Sequence, residues 1–575
     1  MSAGRRFWAV AALVIISAVT LRGLWLTADP PPVEQVGVVW HDEGAWTHNA
    51  RNQALLGVWR TDAWNPVFIA PVFTGLEYAS FSVFGVGTWQ ARLVPVVSGI
   101  VAIVALMAAL WAVSGRHAAV FGGVLLATNY TFVMWNRAAL MESTMTAFIV
   151  VSWAAYALAT SSTSRRRSAA WGVLAGAAAV AAFFTKAAAA FFIAALVLEV
   201  ATAWWLSRAH PQSSIPHPRS THLPILVGMC AAGAVALAIL VVPYWAEFQF
   251  YNWEMSVTRK PSYGLIDFER RVTYLLSHGA FSRMWLVLLA AVVATLATVS
   301  RWTTTSPAAR LAVLWLMVGL LELVIHDSGN ERRYVMFVPA VIALAGMTMG
   351  SWRDVRMGRW SGSGLLVALM AIPLTYLVAG SLLRLLWIDD IRAGEYTRTV
   401  WAAAGLALAA GVFCWVRRAQ VGAWLGRWAL GPIAAVVIVV VTSGTDLALY
   451  AGWAQSRTFF NYEASRMLAE VLPPGTLVHG KLANGLSLEN HIAPIFVGQG
   501  FGNYADRLKR DDARYILSYT LPWPGYEGDV ILDVLQQYPQ RRVITEFDVQ
   551  ETPGPDRAAL IVKFPDGPDT RARDK

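Results

Sequence analysis

The 575 residues are 56% hydrophobic and only 14% charged, more apolar surface than a soluble domain of this size can hide, so lipid must be much of the chain's solvent. The net charge of +10 does not mark a nucleic-acid binder, because most of the excess is arginine in short loops between apolar runs, which is an orientation signal. Cys230 and Cys414 both sit inside apolar runs, which argues against a disulfide and leaves no Cys/His zinc spacing.

Arg5 and Arg6 precede an apolar run from Phe7 to Leu21 that continues through Leu26 with only Arg22 interrupting. Its start fits a signal peptide, but its full length spans a bilayer, so an uncleaved anchor is expected, with Arg22 reaching to the interface. Residues 28–91 form the first outer loop. Its stretch from Trp40 to Arg92 is too polar to span, yet Trp46, Trp59, Phe68, Phe73 and Tyr78 suit juxtamembrane helices at the interface. Further spans are expected near 92–113, 118–135, 139–159, 168–184, 187–206, 223–244, 284–300, 310–326, 334–350, 362–387, 399–416 and 429–450. With the first, these make about thirteen helices of ~20 apolar residues, a mainly α polytopic bundle over residues 1–450.

Counting basic residues in alternate loops sets the orientation. With the N-terminus cytoplasmic, the inner loops hold Arg116, Arg165 to Arg167, Arg208, Arg219, Arg301, Arg310, Arg353, Arg356, Arg359, Arg417, Arg418 and Arg427, with one acid, Asp354. The outer loops mix signs, with Asp42, Glu43, Glu247, Glu254, Asp327 and Glu331 among them. This pattern predicts an odd number of spans, with the 40–92 loop and the C-terminus both outside. After Tyr450 the composition shifts to a small extracytoplasmic α/β domain over 451–575. Helices are expected at Asn461–Leu472 and Asp529–Tyr538, and strands at Thr476–His479, Arg514–Tyr519, Arg541–Phe547 and Ala558–Phe564. The tail from about Asp566 has a disordered composition.

Several ionisable groups fall at span ends on the outer side. Asp42 and Glu43 open the long loop, where they either cap the following helix or act on a substrate. Asn136, Arg137 and Glu142 lie between the third and fourth spans. Glu142 is about a turn into its helix, a costly place unless it is paired, for instance with Arg137. Lys186, in the stretch FFTKAAAAFF, is either an interface anchor or a compact charge for a phosphate. Arg332, Arg333 and Tyr334 precede the tenth span, near His326, Asp327 and Glu331. His41 and His48, seven residues apart, could share a helix face with Asp42 as metal ligands, though their spacing matches no known site. The loop from Ala246 to Ser282, with Arg259 and Lys260, suits an interfacial lid or a plain interfacial helix. Carboxylates and cations gathered at one face fit transfer of a group away from a phosphate.

The arrangement resembles the GT-C class of integral-membrane glycosyltransferases, in particular the family of protein O-mannosyltransferases and lipid A aminoarabinose transferases. The likeness rests on Asp42-Glu43 with Ala50-Arg51 downstream, Phe84-Gly85 leading into Ala91-Arg92-Leu93, Arg137 through Glu142, Thr185-Lys186, and Arg333-Tyr334 through Pro339. It implies a polyprenyl-phosphate sugar donor and inverting single-displacement transfer of a hexosyl or pentosyl group to a protein, glycolipid or glycan acceptor. Asp42 would be the base, with Glu43 and Glu142 supporting it. Lys186, Arg333 and Tyr334 would bind the donor phosphate, and Arg51, Arg92 and Arg137 would position the loop. No cofactor is required, although a divalent metal stays an alternative. The chain departs from the family in having Ala187 after the lysine and Glu142 where Asp is frequent. The implied setting is a cytoplasmic membrane with the C-terminal domain extracytoplasmic. Rival readings are a lipid or solute transporter or flippase, which would show inverted repeats and broken helices near the midplane, and a non-catalytic assembly factor.

Overall fold

A computed structural model describes residues 3–32, 36, 38–62, 66–209, 218–258, 265–326, 329–349, 364–427, 430–495, 512–520, 529–552 and 556–564. Arg259, Lys260, Asp327, Arg353, Asp354, Arg356, Arg359 and the tail from Asp566 lie outside the described residues.

Apolar runs of ~20 residues satisfy their backbone internally only as helices, and that is what they form. The helices are α1 (Ala3–Gly23), α2 (Asp42–Leu56), α3 (Pro71–Phe84), α4 (Thr88–Ser114), α5 (Arg116–Thr128), α6 (Tyr130–Trp135), α7 (Met141–Ser161), α8 (Arg165–Thr185), α9 (Ala190–Ala209) and α10 (Pro218–Ala236). Beyond these come α11 (Trp285–Ser300), α12 (Pro307–His326), α13 (Val338–Met347), α14 (Gly364–Leu386), α15 (Thr397–Val416), α16 (Pro432–Ser456) and α17 (Phe460–Val471). Among the described residues eleven helices are long and apolar enough to cross a membrane, and the chain is a multi-pass membrane protein. Two expected spans are not among the eleven. The one at 118–135 is α5 and α6, broken at Asn129, whose side chain accepts from the Phe132 backbone N–H and caps the second piece. The one at 334–350 begins as a 3-10 turn, Glu331–Phe337, before α13.

The bundle core is a continuous apolar cluster through α4–α9 and α11–α14, with large buried rings such as Trp135, Trp153 and Trp315. Alanine-rich α8 lies against α10 so closely that a Cβ on Gly176 would stand 2.1 Å from the Ile225 carbonyl oxygen. Small residues permit that approach where lipid supplies no hydrophobic drive between helices. Arg6, Arg116 and Leu430 line one hollow at one end of the bundle. Asp42, Glu142 and Lys186 lie in or beside the connections at the other end.

Arg22 departs from expectation. It is fully buried and donates to Asn136 Oδ1 at 2.8 Å and to the Ala127 carbonyl at 3.0 Å, because α5 and α6 flank it where lipid was expected.

The C-terminal unit is built on a five-stranded sheet of β1 (Leu477–His479), β2 (Ala493–Ile495), β3 (Tyr515–Tyr519), β4 (Arg542–Val549) and β5 (Asp556–Val562), in the order β2-β1-β3-β5-β4. Strand β1 pairs parallel with β2 and β3, while β5 runs antiparallel to β3 and β4. Its core includes Trp40 from the membrane domain, packed with Leu468, Leu482 and Leu517.

The two parts meet along α2. Arg51 is buried and donates to the carbonyls of Ser487 (2.9 Å), Asn490 (2.9 Å) and Ile492 (3.0 Å). A Cβ on Gly44 would stand 1.8 Å from the Asn484 carbonyl oxygen, so only glycine admits this contact. Gly44→Ala is expected to destabilise the junction by about 1–3 kcal/mol. Limited proteolysis of the C-terminal unit is the check, and unchanged protection would contradict this packing.

Candidate active site

Three consecutive residues carry the link between the parts. Trp40 plugs into the C-terminal core. His41 is buried, with Nδ1 3.1 Å from Glu551 Oε2, and Glu551 also accepts from the Tyr519 hydroxyl. Asp42 then begins α2 and points back to the membrane domain, where Arg332 Nη1 donates to its Oδ2 at 3.1 Å. The cap expectation is met only loosely: Asp42 lies in the first turn, and the residue before the helix makes no capping bond.

Arg332 also reaches Glu142, with Nε 3.4 Å from Oε1, and Lys186 donates to the same oxygen. Four charges from four distant stretches thus share one spot: Asp42 from the first loop, Glu142 from the start of α7, Lys186 from the turn between α8 and α9, and Arg332 from the turn before α13. Asp42 is 20% exposed and Arg332 23%, whereas Glu142 is buried and its Oε2 has no hydrogen-bond partner among the described residues. Burial pushes the Lys186 ammonium down to about 8; the Glu142 charge opposes that fall, and those of Arg332 and Arg333 add to it.

The other expected site residues fall around this cluster rather than in it. Glu43 is turned away from it. Both its oxygens accept from Arg92, at 2.8 and 2.6 Å, and Oε1 also takes the Ala139 backbone N–H at 2.7 Å. Arg92 donates further to the carbonyls of Leu26 (2.8 Å) and Ala28 (2.6 Å), tying the end of the first span to the loop. Arg137 does not pair with Glu142. It donates to the carbonyls of Leu21, Arg22, Leu24 and Trp25, at 2.6–3.1 Å, and lies over the Trp453 ring.

Arg333 points to Glu322, 3.5 Å away on α12, while staying close enough for its charge to act on Lys186. The Tyr334 ring is buried against His278 and Phe281, and its hydroxyl donates to the Tyr274 carbonyl at 3.2 Å. His41 and His48 do not converge. His48 Nε2 faces Asp62 (3.3 Å) and Asn52 (3.1 Å), and among the described residues no three His, Cys, Asp or Glu side chains group as a metal site.

Arg332, named in the sequence beside Arg333 but given no role, is the bridging cation, and two residues complete the picture without having been singled out: Glu551 behind His41, and Glu77. Glu77 is a fully buried acid on α3 whose two oxygens have no hydrogen-bond partner among the described residues. Burial first, and then the Glu43 charge, pushes its carboxyl well above the usual carboxylate range. The signal was present as a lone carboxylate in the apolar run PVFTGLEYASFSVF.

The polytopic helical bundle with its small C-terminal sheet matches the fold of solved GT-C integral-membrane glycosyltransferases. A family model described as dolichyl-phosphate-mannose-protein mannosyltransferase matches residues 69–245. The crystal structure of ArnT from Cupriavidus metallidurans bound to undecaprenyl phosphate superposes with a TM-score of 0.54 at 18% identity, covering 99% of this chain and 100% of that one. Its apo structure gives 0.54 at 17% identity, over 98% of each chain. The oligosaccharyltransferase of Archaeoglobus fulgidus is more distant, with a TM-score of 0.44 at 13% identity over 89% of this chain and 69% of its own. No curated protein matches the sequence at a significant level.

Proposed function

We propose that the protein is a glycosyltransferase that moves a hexosyl or pentosyl group from a polyprenyl-phosphate donor to an acceptor hydroxyl or phosphate at the outer face of a cytoplasmic membrane. The observation that carries this reading is the meeting of Asp42, Glu142, Lys186 and Arg332 at one end of the bundle. The outward orientation is supported by the arginine-rich loops at the opposite end.

In the proposed step the acceptor oxygen attacks the anomeric carbon as the bond from that carbon to the phosphate oxygen breaks. Asp42 takes the acceptor proton, and the bonding electrons leave with the polyprenyl phosphate. Positive charge develops on the sugar ring and negative charge on the phosphate. Carboxylates on one side and Lys186 with Arg332 on the other complement both. The donor phosphate would take over cations that now hold Glu142 and Asp42, freeing the Asp42 oxygen for the acceptor. Arg333 adds charge from behind. Glu43, Arg51, Arg92 and Arg137 fix the loop, and Tyr334 packs under the turn that carries Arg332. The cations supply the charge the leaving group needs, so the reaction is proposed to run without a divalent metal.

Incubating the purified protein, in EDTA, with labelled polyprenyl-phosphate hexoses and pentoses tests the reading by release of lipid phosphate. Release with at least one sugar is expected; no release with any, while lipid is transported, would favour a flippase.

The Lys186 ammonium gives a pH signature. Its charge is full well below pH 8 and is lost above it, so donor affinity should fall roughly fivefold between pH 8 and pH 9 in that range. Lys186→Arg keeps its charge and should flatten the fall. An identical slope in both proteins would contradict the assignment.

A further inference from the structure

A second basic hollow, of about 990 Å³, opens on the face of the bundle that carries the C-terminal unit, and none of Asp42, Glu142, Lys186 or Arg332 lines it. Arg283, Arg384, Arg392 and Arg457 contribute to its wall, and Asp29 is its one acid among the described residues. That acid is already engaged: it accepts from the Thr458 hydroxyl (2.6 Å) and from the backbone N–H groups of Phe460 (2.8 Å) and Asn461 (3.1 Å). The hollow therefore presents four cations against a carboxylate turned into the protein.

Its long wall is one face of α16. On α16 the lining residues Val441, Thr445, Leu449, Gly452 and Ser456 recur every three or four positions, so they share one face of the helix. From Val441 to Ser456 that face runs roughly 22 Å at 1.5 Å per residue. Val441, Leu449 and, across the hollow, Leu385 are exposed. The arginines sit where helices end: Arg384 in the last turn of α14, Arg457 just after α16, and Arg283 just before α11. Cations at helix ends beside a long face that exposes Val441 and Leu449 match a phosphate-headed lipid.

We infer that this hollow binds an acidic phospholipid of the surrounding bilayer, its phosphate among Arg283, Arg384, Arg392 and Arg457 and its chains along α16. A phosphate-bearing acceptor lipid shares the chemistry, but the exposed stripe faces the bilayer, where phospholipid is the abundant occupant. The site goes beyond the transferase reading and touches it at one point. Arg283 Nη1 donates to Glu331 Oε1 at 2.7 Å, and Glu331 is the neighbour of Arg332. A bound headgroup shares Arg283 with Glu331 and so steadies the turn that presents Arg332 to Asp42.

The test uses the full chain in nanodiscs of phosphatidylcholine with or without phosphatidylglycerol, counting retained lipid by native mass spectrometry. The wild type is expected to retain phosphatidylglycerol over phosphatidylcholine. Arg384→Gln with Arg392→Gln should cut that preference roughly fivefold for each arginine removed. Arg384 also donates to the Leu276 carbonyl at 3.2 Å, so the double variant is at risk of misfolding. Arg392→Gln alone, at a side chain 74% exposed, keeps the test decisive. Lys186→Gln should leave the preference intact, which separates this site from the donor site whether or not transfer is ever observed. Equal retention by wild type and Arg392→Gln, displacement of the phosphatidylglycerol by stoichiometric undecaprenyl monophosphate, or selectivity only for a phosphate-bearing glycolipid would each overturn the inference.

Discussion

Asp42→Asn is expected to give a protein that folds, binds donor and transfers sugar about 10²–10⁴-fold more slowly. Asn keeps the size of the side chain and can still face Arg332, now 3.1 Å from Oδ2, but it takes no proton from an acceptor hydroxyl. The loss should fall on kcat with KM for the donor nearly unchanged, because donor phosphate is assigned to Lys186 and Arg332 instead. Turnover with labelled donor is the check, and full activity in a folded Asp42→Asn protein would remove Asp42 from the chemistry.

The second large effect concerns stability. Arg92→Leu leaves the Glu43 carboxylate buried without the guanidinium that contacts both its oxygens, and it also strips a donor from the Leu26 and Ala28 carbonyls. Breaking one side of a buried pair costs about 3–5 kcal/mol. Unfolding followed in detergent should show that loss. Arg92→Leu combined with Glu43→Leu should recover part of it, since no lone charge then stays buried. Additive losses in the double variant would mean the pair is not the unit of stability. Such a result would also reopen a catalytic role for Glu43, whose oxygens the structure commits to Arg92 and Ala139.

What was legible in the sequence follows from which forces leave a periodic or compositional trace. Span positions came from ~20-residue apolar runs, and the two that are broken, at Asn129 and before Val338, fail in ways hydropathy does not register. Asp42, Glu142 and Lys186 stood out because charges beside apolar runs are costly and so mark themselves. Choosing between Arg332 and Arg333 was beyond the sequence. In a 3-10 turn neighbours point about 120° apart, and only the fold decides which one meets Asp42 and which meets Glu322. Arg22 was misread because a run of apolar residues does not say which face touches lipid and which touches α5 and α6. Strand β2 and the helix Lys481–Gly485 are too short to carry a period. The reach of Glu551 to His41 spans 510 positions, and no local pattern announces it.

The most direct measurement is binding of undecaprenyl monophosphate, the lipid product of the proposed reaction, to the wild type and to Lys186→Met with Arg332→Met. Titration of each protein in detergent at pH 7 should give saturable binding to the wild type and a loss of at least about tenfold in the double variant, as expected when charge-assisted bonds to a phosphate are removed. Binding of equal strength in both proteins would mean that the cluster of Asp42, Glu142, Lys186 and Arg332 is an ion-pair network holding the fold, and not the place where a lipid phosphate leaves a sugar.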